Sequence, residues 1–355
     1  MSNISKLAML AASAAEEVIE HVAYVGIYAD NQIVALNITD PSNVTVLATQ
    51  TLNTVSDTYL DAPNDILYAL SLVQRRVYAY DISDPKSFTL LSYVQVDTNG
   101  FENKSIAYDP VQELIITSRA TIVDASNPSS LSVAYTGNRT EFTQVSYIKE
   151  GSDGKGMFAA VRPTFSRIDI WAFNSNSFDN KGSYSYTGVN GSFAVDPTIA
   201  TARDGLVFGL SGSQENIKAL RPNPVGTGAS GFDLRSSATN NLDGVVTAAA
   251  YPSQRKVYVA DRDNDNYLVT FSYDGNGGSL TYQSRQGNFQ EPSDMYVNDA
   301  QALLAVTHFG TFGARINIYS LSSPNTPSQT ISYTLTTTTS NHDYMPVAIH
   351  HYPQT

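Results

Sequence analysis

Short apolar runs recur in pairs along the chain, and each pair is split by a turn of polar residues, Gly or Pro. One unit begins at Asp57-Thr58-Tyr59-Leu60 and turns at Ala62-Pro63-Asn64-Asp65 into Ile66–Leu70. It continues through Arg76–Asp81, turns at Ser83-Asp84-Pro85 and ends on Phe88–Tyr93. Alternating apolar and aromatic residues between such turns predict four short strands. The second and third strands of this unit can be picked out seven times. They are Ala23–Ile27 with Ile33–Ile38, Ile66–Leu70 with Val77–Ile82, Leu114–Thr117 with Thr121–Asp124, and Met157–Val161 with Ile168–Phe173. Then come Leu206–Leu210 with Ile217–Leu220, Val257–Asp261 with Tyr267–Tyr273, and Leu303–Thr307 with Ile316–Leu321.

The first strand of each unit starts near Asp57, Lys104, Thr143, Ser192, Gly244, Asp294 and Asp343, at intervals of 39 to 52 residues. A four-stranded propeller blade needs about 40–50 residues. The first hairpin has no such strand before it, and the last first-strand, over Asp343–Ile349, has no hairpin after it. Placing the C-terminal strand inside the N-terminal blade satisfies both and removes two open sheet edges. The pattern therefore predicts an all-β fold: a seven-bladed β-propeller of four-stranded blades over 21–355, closed by the C-terminal strand. Residues 1–20 break the pattern. Ile4, Leu7, Ala8, Ala11, Ala14, Val18 and Ile19 recur at helical spacing, with Glu16, Glu17 and Glu20 mostly elsewhere. That stripe predicts a short amphipathic helix. Its apolar centre is too short and Ala-diluted for a secretory signal. A helix of this length needs something to dock on, so Ile4, Leu7, Ala11, Ala14 and Val18 are expected to pack either on the propeller itself or on another subunit.

Composition narrows the function classes. Asp and Glu number 33 against 21 Lys and Arg, a net charge of −12, with no basic run, so phosphate backbones are repelled. No apolar stretch is long enough to cross a membrane as a helix. Zero cysteines remove disulfides, thiol chemistry and Cys-based zinc sites. Charged residues are only 15%, so the surface is neutral-polar, and 22 Tyr suit it to contacts with glycans or proteins without charge steering.

Asn37-Ile38-Thr39-Asp40-Pro41-Ser42 and Asp81-Ile82-Ser83-Asp84-Pro85, with weaker copies at Val123–Pro128 and Ser322-Ser323-Pro324, end a strand in Asn or Asp or their near equivalents and turn on a D-P or N-P pair. These segments resemble LVIVD-type β-propeller repeats, which implies the propeller fold and says little of activity. The opening Met1-Ser2-Asn3-Ile4-Ser5-Lys6-Leu7-Ala8-Met9-Leu10-Ala11-Ala12 is similar to the leader of many tailed-phage virion proteins. That similarity implies a non-enzymatic structural protein of the virion. The propeller would be displayed for decoration or host attachment, bound to other virion proteins through its leader and to a host glycan or protein through its surface. An exported cell-surface propeller is the alternative location.

An enzyme would use the channel mouth, where the inner strands begin. Asp57, Glu102, Glu141, Asn190, Asp243, Asp294 and Asp343 fall there, with His342 beside the last. Converging carboxylates can hold Ca²⁺ through six to eight oxygens, as in a lactonase-like hydrolase. The preferred expectation is structural: no cofactor, with Asp at an inner-strand start hydrogen-bonding neighbouring amides. Asp261-Arg262-Asp263-Asn264-Asp265-Asn266 imitates a calcium loop, but Asn266 replaces its Gly and Ser272 its Glu, so a plain hairpin turn is expected. His350-His351 reads as a tail pair beyond the closing strand, and His21 and His308 as isolated core-edge or surface residues. No G-x-S-x-G elbow is present. Sequons at Asn37, Asn43, Asn103, Asn138 and Asn190 matter only on a eukaryotic secretory route.

Overall fold

The computed structural model describes residues 20–96, 104–137, 142–150, 154–162, 165–185, 189–196, 206–211, 216–222, 232–239, 242, 245–261, 267–274, 279–287, 291–308, 313–336 and 345–352. The helix expected over residues 4–20, and with it Ile4, Leu7, Ala11, Ala14 and Val18, lies outside them apart from Glu20. Among the described residues the strands form seven four-stranded antiparallel sheets, one per blade. Blade 1 joins Val347–His351 to His21–Ile27, Gln32–Asn37 and Thr45–Thr51 in that spatial order. Blade 2 is the consecutive set Val55–Asp61, Ile66–Ser71, Arg76–Asp81 and Thr89–Gln95. The inner strands of blades 3 to 7 are Ile106–Asp109, Gln144–Glu150, Val189–Asp196, Val245–Tyr251 and Pro292–Asn298. The last strand of the chain thus closes the ring, as the unpaired ends of the repeat required.

The two middle strands of a blade do not alternate between apolar and polar positions. Ile66–Ser71 is buried at every position, whereas the outermost strand, Thr89–Gln95, is exposed or half-buried throughout. A middle strand has another blade on each face, so both of its faces are core. Seven apolar clusters fill the seven gaps between neighbouring blades. Between blades 2 and 3, for example, Tyr68, Leu70, Val77 and Ala79 meet Ile106, Tyr108, Ile115 and Val123.

The Asp-Pro segments have a local cause. Asp81 Oδ1 accepts from the Ser83 amide at 2.8 Å, and Asp84 Oδ1 accepts from the Lys86 amide at 2.9 Å. The same double turn recurs at Asn37 with Thr39 and Asp40 with Ser42, and at Asp124 with Ser126 and Asn127 with Ser129. Two consecutive side-chain-to-amide turns satisfy the backbone where the third strand bends toward the fourth. The Ser83 hydroxyl and amide beside Asp81, and those of Ser42 beside Asp40, hold both carboxyls below the usual range. The repeat signature is therefore a turn device.

Blade 3 meets blade 4 closely at one glycine. A Cβ added at Gly156 would lie 2.2 Å from Asp109 Oδ2. Asp109 is fully buried and cannot retreat, because its carboxylate accepts from the Val111 amide at 2.9 Å, the Gln112 amide at 3.2 Å and Gln112 Nε2 at 3.0 Å. Gly156→Ala is accordingly expected to cost about 1–3 kcal/mol through overpacking. Urea denaturation measures it, and an unchanged midpoint would show that the blades can part there without cost.

Candidate functional site

The inner strands start on one face of the ring, here the upper face, and end on the lower. Among the described residues, four of the seven neighbouring pairs of inner strands are linked in the same way at the upper mouth. Asp57 Oδ2 accepts from the Ile106 amide at 2.8 Å, linking blade 2 to blade 3. Ser105 Oγ accepts from the Val145 amide at 3.2 Å, and Gln144 Oε1 from the Phe193 amide at 2.9 Å. Asp294 Oδ2 accepts from the Val347 amide at 3.1 Å, linking blade 7 to the closing strand. These four bonds act as latches between neighbouring blades. Asp57 and Asp294 thus each hold a neighbouring strand, and the register irregularities at Val55/Asp57 and Pro292/Asp294 turn them toward the next blade.

Their electrostatics goes beyond structure. Burial pushes the Asp57 carboxyl up to about 6, against the amides of Ile106 and Thr58 that pull it down. Burial, with the Asp57 charge adding to it, pushes Asp294 up to about 7. Both residues nevertheless keep partial solvent contact. A carboxylate offers about four lone-pair positions, and one amide latch on Asp294 Oδ2 leaves others for water. Two interacting acids that titrate near neutrality, reached by water at a channel mouth, can exchange protons with a bound molecule. Below them Tyr59 and Tyr296 lie two residues further along the same strands, and burial raises both phenols well above their ordinary range.

Of the other mouth residues, Glu102, Glu141, Asp243, His342 and Asp343 lie outside the described residues, as does the side chain of Asn190. Among the described residues the mouth carboxylates bring no three metal-ligating groups together. The Asp261–Asn266 segment is described only at Asp261, a buried strand end, and Ser272 lies within the strand Tyr267–Tyr273, paired with Lys256. A strand residue cannot close a calcium loop.

Two histidine expectations are overturned. His350 and His351 are part of the closing strand, not a tail beyond it, because pairing with blade 1 continues to His21↔His351. His21 is consequently not isolated: its imidazole faces that of His351, and Glu20 lies alongside. His308 is buried at 3% exposure beside Asn317, with no well-formed hydrogen bond to either ring nitrogen among the described residues. Burial holds its imidazole down to about 4, so it is neutral at physiological pH.

Sequence reasoning did not anticipate a second concavity, on the lower face between blades 2 and 3. Its volume is about 210 Å³, and Asp61, Asn64, Tyr68, Tyr108, Glu113 and Ser126 contribute to its wall. Asp61 Oδ2 accepts from Asn64 Nδ2 at 2.8 Å. Tyr68 is fully buried, its ring stacked on Tyr108 at 5.5 Å, and its hydroxyl has no hydrogen-bond partner among the described residues. No local motif marks this site, because its walls come from two blades whose contact depends on the ring.

Known structures share the fold. A candidate 6-phosphogluconolactonase of Bacteroides fragilis matches with a TM-score of 0.70 at 14% identity, over 95% of this chain and 99% of that one. The periplasmic gluconolactonase of Pseudomonas aeruginosa matches at 0.66 and 12% identity, over 94% of this chain and 99% of that one. Sqt1 of Saccharomyces cerevisiae matches at 0.61 and 10% identity, over 95% and 94%. No protein-family model and no curated protein matches the chain. The likeness thus shows a seven-bladed propeller, and nothing in it supports LVIVD-type repeats or a phage leader.

Proposed function

We propose that the protein is a lactonase-like hydrolase acting at the upper channel mouth on a cyclic ester of a sugar acid. The observation that carries this reading is the Asp57–Asp294 pair, two mutually interacting acids raised to about 6 and about 7. The likeness to gluconolactonase propellers supports the same class. Ionised Asp294 takes a proton from a water molecule as that water attacks the lactone carbonyl. Collapse of the tetrahedral adduct breaks the ring C–O bond, and the protonated acid returns the proton to the leaving alkoxide. Water is consumed and the free hydroxy acid is released, so no metal has to supply the nucleophile.

The experiment is hydrolysis of glucono-δ-lactone and 6-phosphogluconolactone, followed by acid release against the uncatalysed rate. Acceleration is expected, rising with pH through about 7 as Asp294 ionises, and falling by about 10²-fold or more in Asp294→Asn. The absence of acceleration by the wild-type chain on either lactone would overturn this reading. A non-enzymatic, displayed binding propeller is the second reading. The lower-face cavity with the unpartnered Tyr68 hydroxyl favours it, since a small polar ligand there would satisfy that group.

A further inference from the structure

The beginning and the end of the described chain meet at the lower end of blade 1. His21, the first residue of its strand, stands opposite His351, the last residue of the closing strand. Their Nδ1 atoms are 3.4 Å apart and their rings 5.1 Å between centroids, tilted by 35°. Glu20 brings a carboxylate oxygen to 3.8 Å from His21 Nε2. One ligand atom from each of Glu20, His21 and His351 lies within 4.8 Å of the other two.

Facing imidazole nitrogens need something between them. Two lone pairs repel, and so do two N–H groups, so the contact is favourable only with one shared proton or with a cation. The spacing favours the cation. Four-coordinate zinc holds imidazole nitrogens at about 2.0–2.1 Å, which places two of them about 3.3 Å apart in a tetrahedral shell. A direct N–H···N bond prefers a shorter separation, nearer 3 Å.

The third donor is held at its root and free at its tip. The Glu20 and His21 amides both donate to Thr39 Oγ1, at 2.8 and 3.0 Å, and the Tyr352 amide donates to the Glu20 carbonyl at 2.8 Å. The Glu20 side chain is 39% exposed and that of His21 18%, so an ion can enter and keep a water in the remaining position. Burial also lowers the His21 pKa, which favours the neutral imidazole that a metal requires. His350 points elsewhere, with Nε2 2.6 Å from Asp65 Oδ1 in blade 2, and takes no part.

We propose that Glu20, His21 and His351 form a site for a divalent transition metal of the zinc class, which ties the first strand to the last and staples the closure of the ring. Two imidazoles and one carboxylate are a donor set suited to zinc. The ligands belong to opposite ends of the sequence, and they converge only in the closed ring. Metal binding therefore favours the closed state over any open one.

The full chain titrated with Co²⁺ provides the test, read by visible d–d absorption of a four-coordinate ion and, in parallel, by the melting temperature with added Zn²⁺. One equivalent should bind, with a rise in melting temperature that a chelator reverses. His21→Gln and His351→Gln should each weaken binding by about tenfold or more, and Glu20→Gln by less, while His342→Gln binds as the wild type does. No absorption and no thermal shift in the wild type would overturn the proposal. So would equal binding by His21→Gln and His351→Gln. If His351→Gln does not fold, His21→Gln and Glu20→Gln decide, because both sit at the half-buried start of the first strand.

Discussion

A chain ending at residue 341 is expected to lose its whole ring, not merely to fray at one blade. The closing strand supplies the inner edge of blade 1, pairing Val347↔Val25 through His351↔His21. Met345, Val347 and Ile349 pack into the core between blades 7 and 1, and Ala348 packs into the core between blades 1 and 2. The same segment takes the Asp294 latch, a bond from Thr307 Oγ1 to the Met345 carbonyl at 2.6 Å and one from Asn298 Nδ2 to the Ile349 carbonyl at 3.1 Å. Just beyond it the Tyr352 hydroxyl donates to the Ile82 carbonyl in blade 2. Losing the burial of these three large apolar side chains costs about 5–9 kcal/mol at 1.5–3 kcal/mol each. That is comparable with the whole stability of an ordinary domain. Circular dichroism of the shortened chain should show a cooperative transition displaced far below that of the full chain, or none at 25 °C. A melting curve superimposable on that of the full chain would refute the closure.

The second large effect concerns pH. In the unfolded chain Asp294 titrates near the ordinary aspartate value, about 4, whereas in the ring it is raised to about 7. Between those values the folded form binds a proton that the unfolded form has released. The group therefore costs nothing below about pH 4, becomes a growing cost as pH rises toward 7, and is a full cost above it. Because Asp57 shares the same field, the two titrate as a pair. Asp294→Asn removes the charge and keeps an oxygen to accept from the Val347 amide. It should stabilise the protein by about 2–4 kcal/mol at pH 8 and change little at pH 4. Melting temperatures of both forms at the two pH values measure this, and parallel pH profiles would refute it. A stability cost kept at a channel mouth, where the same acid would serve hydrolysis, is the trade expected of a working site.

Much of this molecule was legible in the chain itself. The seven hairpins, the blade interval and the unpaired first and last elements predict the ring and its closure. Those signals are local, because strand period and turn chemistry act over a few residues. The site was only half legible. Asp57 and Asp294 stand out as acids at inner-strand starts, and their latching partners follow from the repeat. Their raised pKa values do not, since these arise from burial and, for Asp294, from the Asp57 charge across blade 1. His21 and His351 were misread for the same reason. In the sequence 329 residues lie between them, and nothing near either one announces the other.

What the sequence by itself determined is the unit: four strands, double Asx turns, and a count of seven. Which residues share a site was decided by the tertiary structure alone. Closure brings the two chain ends into one sheet, and adjacent blades bring Tyr68 to Tyr108 and Gly156 to Asp109. The physical reason is the division of labour in the fold. Hydrogen-bonded strands form within a unit, so their signals are contiguous. Cavities, paired charges and facing imidazoles form between units, where only the geometry of the closed ring sets distance and dielectric.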